Sequence, residues 1–192
     1  MIRIVGLLAT LIFFNAIAVV CADASGYEAT EEDFVRWENT WDSLIPPGAY
    51  DFVPKDFYFE LLFNPTFQSQ LDEAGRVINP LLEGKSVEIA GFMVPIEVRE
   101  ENVLKFLLVP EAGQCIHVPP PPLNQTLFVD TTTAPTPLRD LYQPIIIWGR
   151  LSVGTQTFEI ADSGYSLAAS KIITLNLEED MIPVVPGADG DR

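Results

Sequence analysis

Apolar residues change their spacing along this chain, and each change marks an element. From Ile4 to Val20 they run almost without interruption. Phe34, Trp37, Trp41 and Leu44 then recur at three- and four-residue spacing, the single stripe of an amphipathic helix packed on the body of a domain. Thr30 ahead of Glu31, Glu32 and Asp33 supplies a cap and places three acids on the positive end of the helix dipole. Pro46-Pro47-Gly48 ends that helix. Residues 49–80 lose the period: Phe52, Phe57, Tyr58, Phe59, Leu61, Leu62 and Phe63 form an aromatic-rich patch broken by Pro54 and Pro65, and Thr66 to Ala74 reads as a short helix stopped at Gly75.

From Lys85 the period becomes two. Ser86 to Ile96 places Val87, Ile89 and Gly91 on one face, a strand signal, and Gly91 inside it predicts a bulge or sharp bend. Leu104–Val109, Leu123–Asp130, Pro144–Val153 (with Gly149 inside it) and Tyr165–Leu177 supply four more strands. Five strands with glycine kinks in the first and fourth predict a mainly β protein. The expected architecture is a small five-stranded barrel of the oligonucleotide/oligosaccharide-binding (OB) type with N-terminal helices; a β-sandwich is the rival. The expected organisation is a segment 25–84 packed on a barrel 85–177, followed by a loose acidic tail, 178–192.

The apolar run opening the chain is an address. Arg3 precedes it and Ala22-Asp23-Ala24 follows, the small-x-small pattern of signal-peptidase cleavage. Residues 1–24 therefore read as a secretory signal cleaved after Ala24, with no membrane-spanning segment left behind. Lipoprotein anchoring through Cys21 is disfavoured by Val20, which stands where Gly, Ala or Ser is usual.

Charge narrows the function classes. Eleven basic against 27 acidic side chains give −16, which argues against binding phosphate backbones and so against a nucleic-acid partner. One histidine and two cysteines exclude a multi-histidine metal centre. Cleavage removes Cys21, leaving Cys115 the one thiol of a chain sent to an oxidising compartment.

That thiol stands within three residues of the only imidazole, in Gly113-Gln114-Cys115-Ile116-His117-Val118-Pro119-Pro120-Pro121-Pro122-Leu123-Asn124-Gln125. If the stretch is extended, Cys115 and His117 project from one face with Gly113 and Pro119. Pro119 to Pro122 impose a stiff polyproline II segment, whose carbonyls the amides of Asn124 and Gln125 are expected to satisfy.

This segment resembles the signature of a secreted bacterial family, domain of unknown function 3299, with a Gly-x-Cys-Ile-His-x-Pro-Pro-Pro-Pro-x-Asn-Gln core. Leu123 stands where proline is common. Gly91–Glu97 resembles the family's Gly-(Tyr/Phe)-(Met/Val)-Val-Pro-(Leu/Ile)-Glu strand, and Trp41–Pro46 its Trp-x-x-Leu-(Ile/Leu)-Pro element. The resemblance implies an exported, periplasmic bacterial protein of unassigned activity. It also implies a membrane ABC-type transport complex as partner, since family members are often encoded beside such components, sometimes under zinc control.

Three readings of Cys115 and His117 compete. Thiolate and imidazole suit Zn or Cu, with the missing ligands drawn from acids such as Glu97 or Glu111, from water or from a second molecule. Alternatively His117 acts as base for Cys115 as nucleophile in a cysteine-dependent enzyme. In the third, Cys115 is a small buried apolar residue and His117 bonds backbone in the bend. The expectation is a non-enzymatic binding or accessory protein with its site on Cys115 and His117. Gly113, Pro119–Pro122, Asn124 and Gln125 form the supporting loop. No Gly-x-Ser-x-Gly elbow, P-loop or dinucleotide fingerprint occurs.

Overall fold

The structure, a computed structural model, describes residues 27–115 and 120–176. The signal peptide, Cys21, His117, Pro119 and the acidic tail lie outside them. Seven strands and two α-helices follow one another: β1 (Tyr27–Glu28), α1 (Glu31–Leu44), α2 (Pro65–Gly75), β2 (Ser86–Arg99), β3 (Asn102–Val109), β4 (Leu127–Asp130), β5 (Thr136–Pro137), β6 (Pro144–Thr157) and β7 (Asp162–Asn176).

Five strands close a ring. β2 pairs antiparallel with β3 and β6, β3 antiparallel with β4, β4 parallel with β7, and β7 antiparallel with β6. Counted along the chain, the ring runs first, second, third, fifth, fourth and back to first, with the third and fifth parallel. That is the strand order of an OB barrel, and it excludes the sandwich. β1 and β5 add two residues each, to β7 and β3.

Period-two alternation sets the two faces of the wall. Ile89, Met93, Phe106, Leu108, Leu127, Val129, Ile145, Ile147, Leu151, Tyr165 and Leu167 fill the barrel. Trp41 and Leu44 of α1 belong to the same cluster, so the C-terminal half of α1 plugs one end. Its N-terminal half lies outside, where Phe34 and Trp37 pack with Ile146, Trp148, Ile173 and Leu175. Each fully buried Leu or Ile contributes about 1.5–3 kcal/mol.

Several bonds hold α1 against the barrel. Thr30 and Asp33 form a reciprocal capping box, Arg36 reaches both Asp33 and Glu88, and the Trp41 indole donates to the Ala90 carbonyl at 2.8 Å. The Tyr165 hydroxyl, fully buried, donates to the Leu44 carbonyl at 2.5 Å and accepts from the Asn79 amide at 2.6 Å. One barrel side chain thus ties down both the end of α1 and the connection that follows α2.

Two expectations need correction. Gly91 is not a bulge: it pairs in register with Ile145, and the irregularities of β2 lie between Pro95 and Val98. A Cβ at Gly91 would meet the Val109 carbonyl at 2.6 Å and the Trp41 ring at 3.1 Å, so the glycine is there for close approach. Leu123–Gln125 is a 3-10 turn and not the start of a strand, which begins at Leu127. The Gln125 amide donates to the Pro122 carbonyl at 2.8 Å, closing a turn that an extended chain cannot make. At Gly149 a register shift against β7 does occur.

Candidate functional site

The β3–β4 connection carries the Cys-His-tetraproline motif and crosses the outside of the barrel. Val94, Leu107 and Val109 point outward there and bury one another, with Phe92, Ile96, Phe128, Phe158, Ala161 and the half-buried Cys115 packed over them. Phe128 and Phe158 stack with centroids 4.9 Å apart. The outer face of β2, β3 and β4 is therefore covered by the protein's own loops.

Gly113 and Cys115 both have positive φ, 78° and 67°. Cys115 is thus left-handed, an uncommon state for a residue with a Cβ. The run is not extended at Cys115, and strand alternation gives no reason to place its side chain beside that of His117. Apolar burial pushes the Cys115 thiol up from its ordinary value, which favours the neutral form at pH 7.

The other end of the motif is clamped. Asn124 is fully buried, and its amide nitrogen donates to the carbonyls of Ala74 at 3.0 Å and Val77 at 3.1 Å, at and just beyond the C-terminus of α2. Gln125 donates to the Trp41 carbonyl at 2.9 Å. Their amides bond helix-end carbonyls and not the proline carbonyls expected of them. The Pro122 carbonyl is served instead by the Gln125 backbone and by the Thr126 hydroxyl at 3.1 Å. Pro122 itself is in the polyproline II region, φ −58° and ψ 155°.

Between this proline arm and α2 lies an open cleft of about 520 Å³, lined by Pro120, Pro121 and Pro122 opposite Tyr50, Asp72, Gly75 and Arg76, with Ala161 and Asp162 from the β6–β7 turn. Gly75 lets the arm close on the helix, for a Cβ there would come within 2.7 Å of Pro122. Burial pushes the Tyr50 phenol up, partly offset by the neighbouring Asn124 amide. Among the described residues Arg76 makes no ion pair, so a guanidinium, two carboxylates and a phenol line a partly apolar cleft. Ala161 both lines the cleft and packs over the Cys115 cluster, making the two surfaces neighbours.

Glu97 lies on β2 and accepts from Lys105 at 2.8 Å, while Glu111 is exposed, its backbone amide donating to the Gln114 side chain at 3.1 Å. No group of three or more His, Cys, Asp or Glu side chains suited to a metal ion occurs among the described residues. Sequence reasoning passed over Tyr50, Asp72, Arg76 and Asp162. They come from separate stretches of chain, and only the paired glycine and prolines at Gly75 and Pro122 hinted at a contact.

No helix among the described residues is long and apolar enough to cross a membrane. No curated protein matches the chain. Among solved structures, the chain is similar to a DUF3299 family protein from Pseudomonas aeruginosa PAO1, at 31% identity and a TM-score of 0.54 over 80% of this chain and 99% of that one. It also matches the OBody AM3L09 bound to hen egg-white lysozyme, at 20% identity and a TM-score of 0.33 over 51% of this chain and 88% of that one. The family model described as "Protein of unknown function (DUF3299)" matches residues 41–174, which span the plug helix, the clamp, the tetraproline arm and the five-stranded ring: the chain belongs to the DUF3299 family.

Proposed function

We propose that the chain is an exported periplasmic binding or accessory protein whose ligand site is the β3–β4 loop. The observation that carries this reading is the cleft of about 520 Å³ along Pro120–Pro122, held open by a buried clamp that has no catalytic geometry. Stiff prolines on one wall and a packed helix on the other make a preformed site, which lowers the ordering cost of binding. The cargo is a Zn or Cu ion, free or already chelated, and the partner is a membrane ABC-type transport complex. Cys115 and His117 would hold the metal by thiolate and imidazole. Two protein donors leave positions open for a small chelator or for Glu111, whereas Glu97 would first have to leave Lys105. A cysteine nucleophile needs a thiolate, and apolar burial shifts Cys115 in the opposite direction. No observation therefore favours the enzymatic alternative.

The test is native mass spectrometry of the protein purified from the periplasm without chelator, beside Cys115→Ser. The expected result is a chain beginning at Ser25 with a stoichiometric metal mass that Cys115→Ser lacks. Apo masses in both after micromolar Zn and Cu are added back overturn the metal reading. An unprocessed chain retained in the cytoplasm overturns the export reading.

A further inference from the structure

The 3-10 turn Phe59–Phe63, Phe-Glu-Leu-Leu-Phe in sequence, has no buried residue. Phe59 is 65% and Phe63 69% exposed, and Phe57 and Tyr58 just before them are 47% and 57% exposed. None of the four belongs to any of the three apolar clusters. Single exposed apolar residues are ordinary, but four aromatic rings within seven residues form a patch of the kind that marks an interaction surface.

The patch is also rigid. The Phe59 and Phe63 rings meet edge to face at 5.5 Å, and Phe57 leans on Phe67 of α2 at 6.3 Å. Gln68 donates to the Leu62 carbonyl at 2.7 Å, and the Asn64 side chain caps α2 by accepting from the amides of Thr66 and Phe67. The aromatics are therefore presented in one arrangement, which reduces what binding must spend on ordering them.

We propose that this turn is a docking plug for a partner protein with an apolar groove rimmed by Lys and Arg. Charge selects that occupant. Asp51, Asp56 and Glu60 are exposed around the rings and Lys55 is the one base among them, on a chain of net charge −16. A second copy would bring the same acids face to face, and an anionic bilayer would repel them. A cationic rim around an apolar groove complements both features at once. The inference concerns a surface other than the cleft and does not depend on what the cleft binds.

The experiment replaces Tyr58 with the photo-crosslinking amino acid p-benzoylphenylalanine in cells that make the full chain, and maps the cross-linked peptide by mass spectrometry. The expected product is one protein adduct whose linked peptide lies in a groove where Lys or Arg flanks apolar residues. Truncating aromatic anchors should reduce that adduct about tenfold or more in Phe59→Ser/Phe63→Ser. Reversing rim charge in Asp56→Lys/Glu60→Lys should reduce it several-fold, and 0.5 M salt likewise. Both variants should unfold at the wild-type temperature, because the altered side chains are exposed. The proposal is overturned by no adduct, or by an adduct to lipid, to a second copy or to residues 177–192 of the same chain. It is equally overturned by insensitivity to charge reversal, or by an unfolding temperature that falls in Phe59→Ser/Phe63→Ser.

Discussion

Replacing Asn124 tests whether the proline arm is held by its clamp. In Asn124→Leu the carbonyls of Ala74 and Val77 lose the amide donor that now reaches them at 3.0 and 3.1 Å, at about 1 kcal/mol each. Ala74 keeps backbone donors from Arg76 and Val77, so its share is the smaller. The Asn124 side-chain oxygen is buried without a partner, and removing it recovers about 1 kcal/mol. The net loss expected for Asn124→Leu is therefore only about 1 kcal/mol. Asn124→Asp has nearly the same shape and the opposite chemistry. Its carboxylate would face two carbonyl oxygens at the negative end of the α2 dipole, a penalty of about 3 kcal/mol or more when ionised. That raises the folded-state pKa of the new carboxyl above the unfolded value of about 3.9. A raised acid destabilises as pH climbs from the unfolded pKa to the folded one, so the excess cost of Asn124→Asp over Asn124→Leu is absent near pH 4 and complete by about pH 7.5. Urea unfolding of both variants beside wild type at pH 4.5 and 7.5 measures this. Two variants within about 0.5 kcal/mol of wild type at pH 7.5, or a gap between them of the same size at both pH values, would refute the clamp.

Tyr165→Phe removes the buried hydroxyl shared by Leu44 and Asn79; it should cost about 2–3 kcal/mol, read as a fall in Tm of roughly 5–10 °C by calorimetry. Asp33 accepts from the Thr30 backbone and side chain and from Tyr27, which hold its carboxyl down at about 2. A lowered acid stabilises fully above its unfolded value and loses that contribution as pH falls toward about 2, so Asp33→Asn should flatten the difference in stability between pH 5 and pH 2.5 in acid titration followed by circular dichroism. The Cys115 thiol, raised by burial, should alkylate with iodoacetamide more slowly than free cysteine at pH 7.5, with a rate still climbing above pH 9; Phe158→Ala, which thins the cover on the same cluster, should speed it about tenfold. A rate matching free cysteine in the native protein would contradict the packing described for the loop.

The barrel was legible because its signal is local. Alternation in Ser86–Ile96 and Pro144–Val153 depends on which face of one strand meets the interior, and the ring bears that alternation out, extending both strands. The helix of Phe34, Trp37, Trp41 and Leu44 was equally plain, its cap standing in the sequence at Thr30. Leu123–Gln125 was misread because an apolar residue followed by two amides looks like strand entry. Its actual conformation is decided by what Asn124 and Gln125 reach, the carbonyls of Ala74, Val77 and Trp41, which lie far away in the chain. Gly91 was misread for a related reason: glycine marks both a bend and a close approach, and only the position of Trp41 separates the two. The cleft had no local signal at all, since Tyr50, Arg76 and Asp162 meet only once the arm is docked on α2.

The motif and the barrel constrain each other in a way that directs function away from the wall. An open OB face offers exposed strands and loops to a ligand, but here Val94, Leu107 and Val109 are covered by the loop bearing Cys115 and by Phe158 from the β6–β7 turn. Uncovering that face would expose the apolar cluster and surrender its burial, at about 25 cal/mol for each Å². The folded protein therefore presents the outside of its cover: the cleft between the proline arm and α2, and the aromatic turn that leads into α2. Both are built on the segment between residues 49 and 76, which joins the barrel through Asn124 at one end and through Tyr165 at the other. A ligand in the cleft would press on the same helix whose first turn carries the docking aromatics, so occupancy of one surface has a short, packed route to the other through the eleven residues of α2.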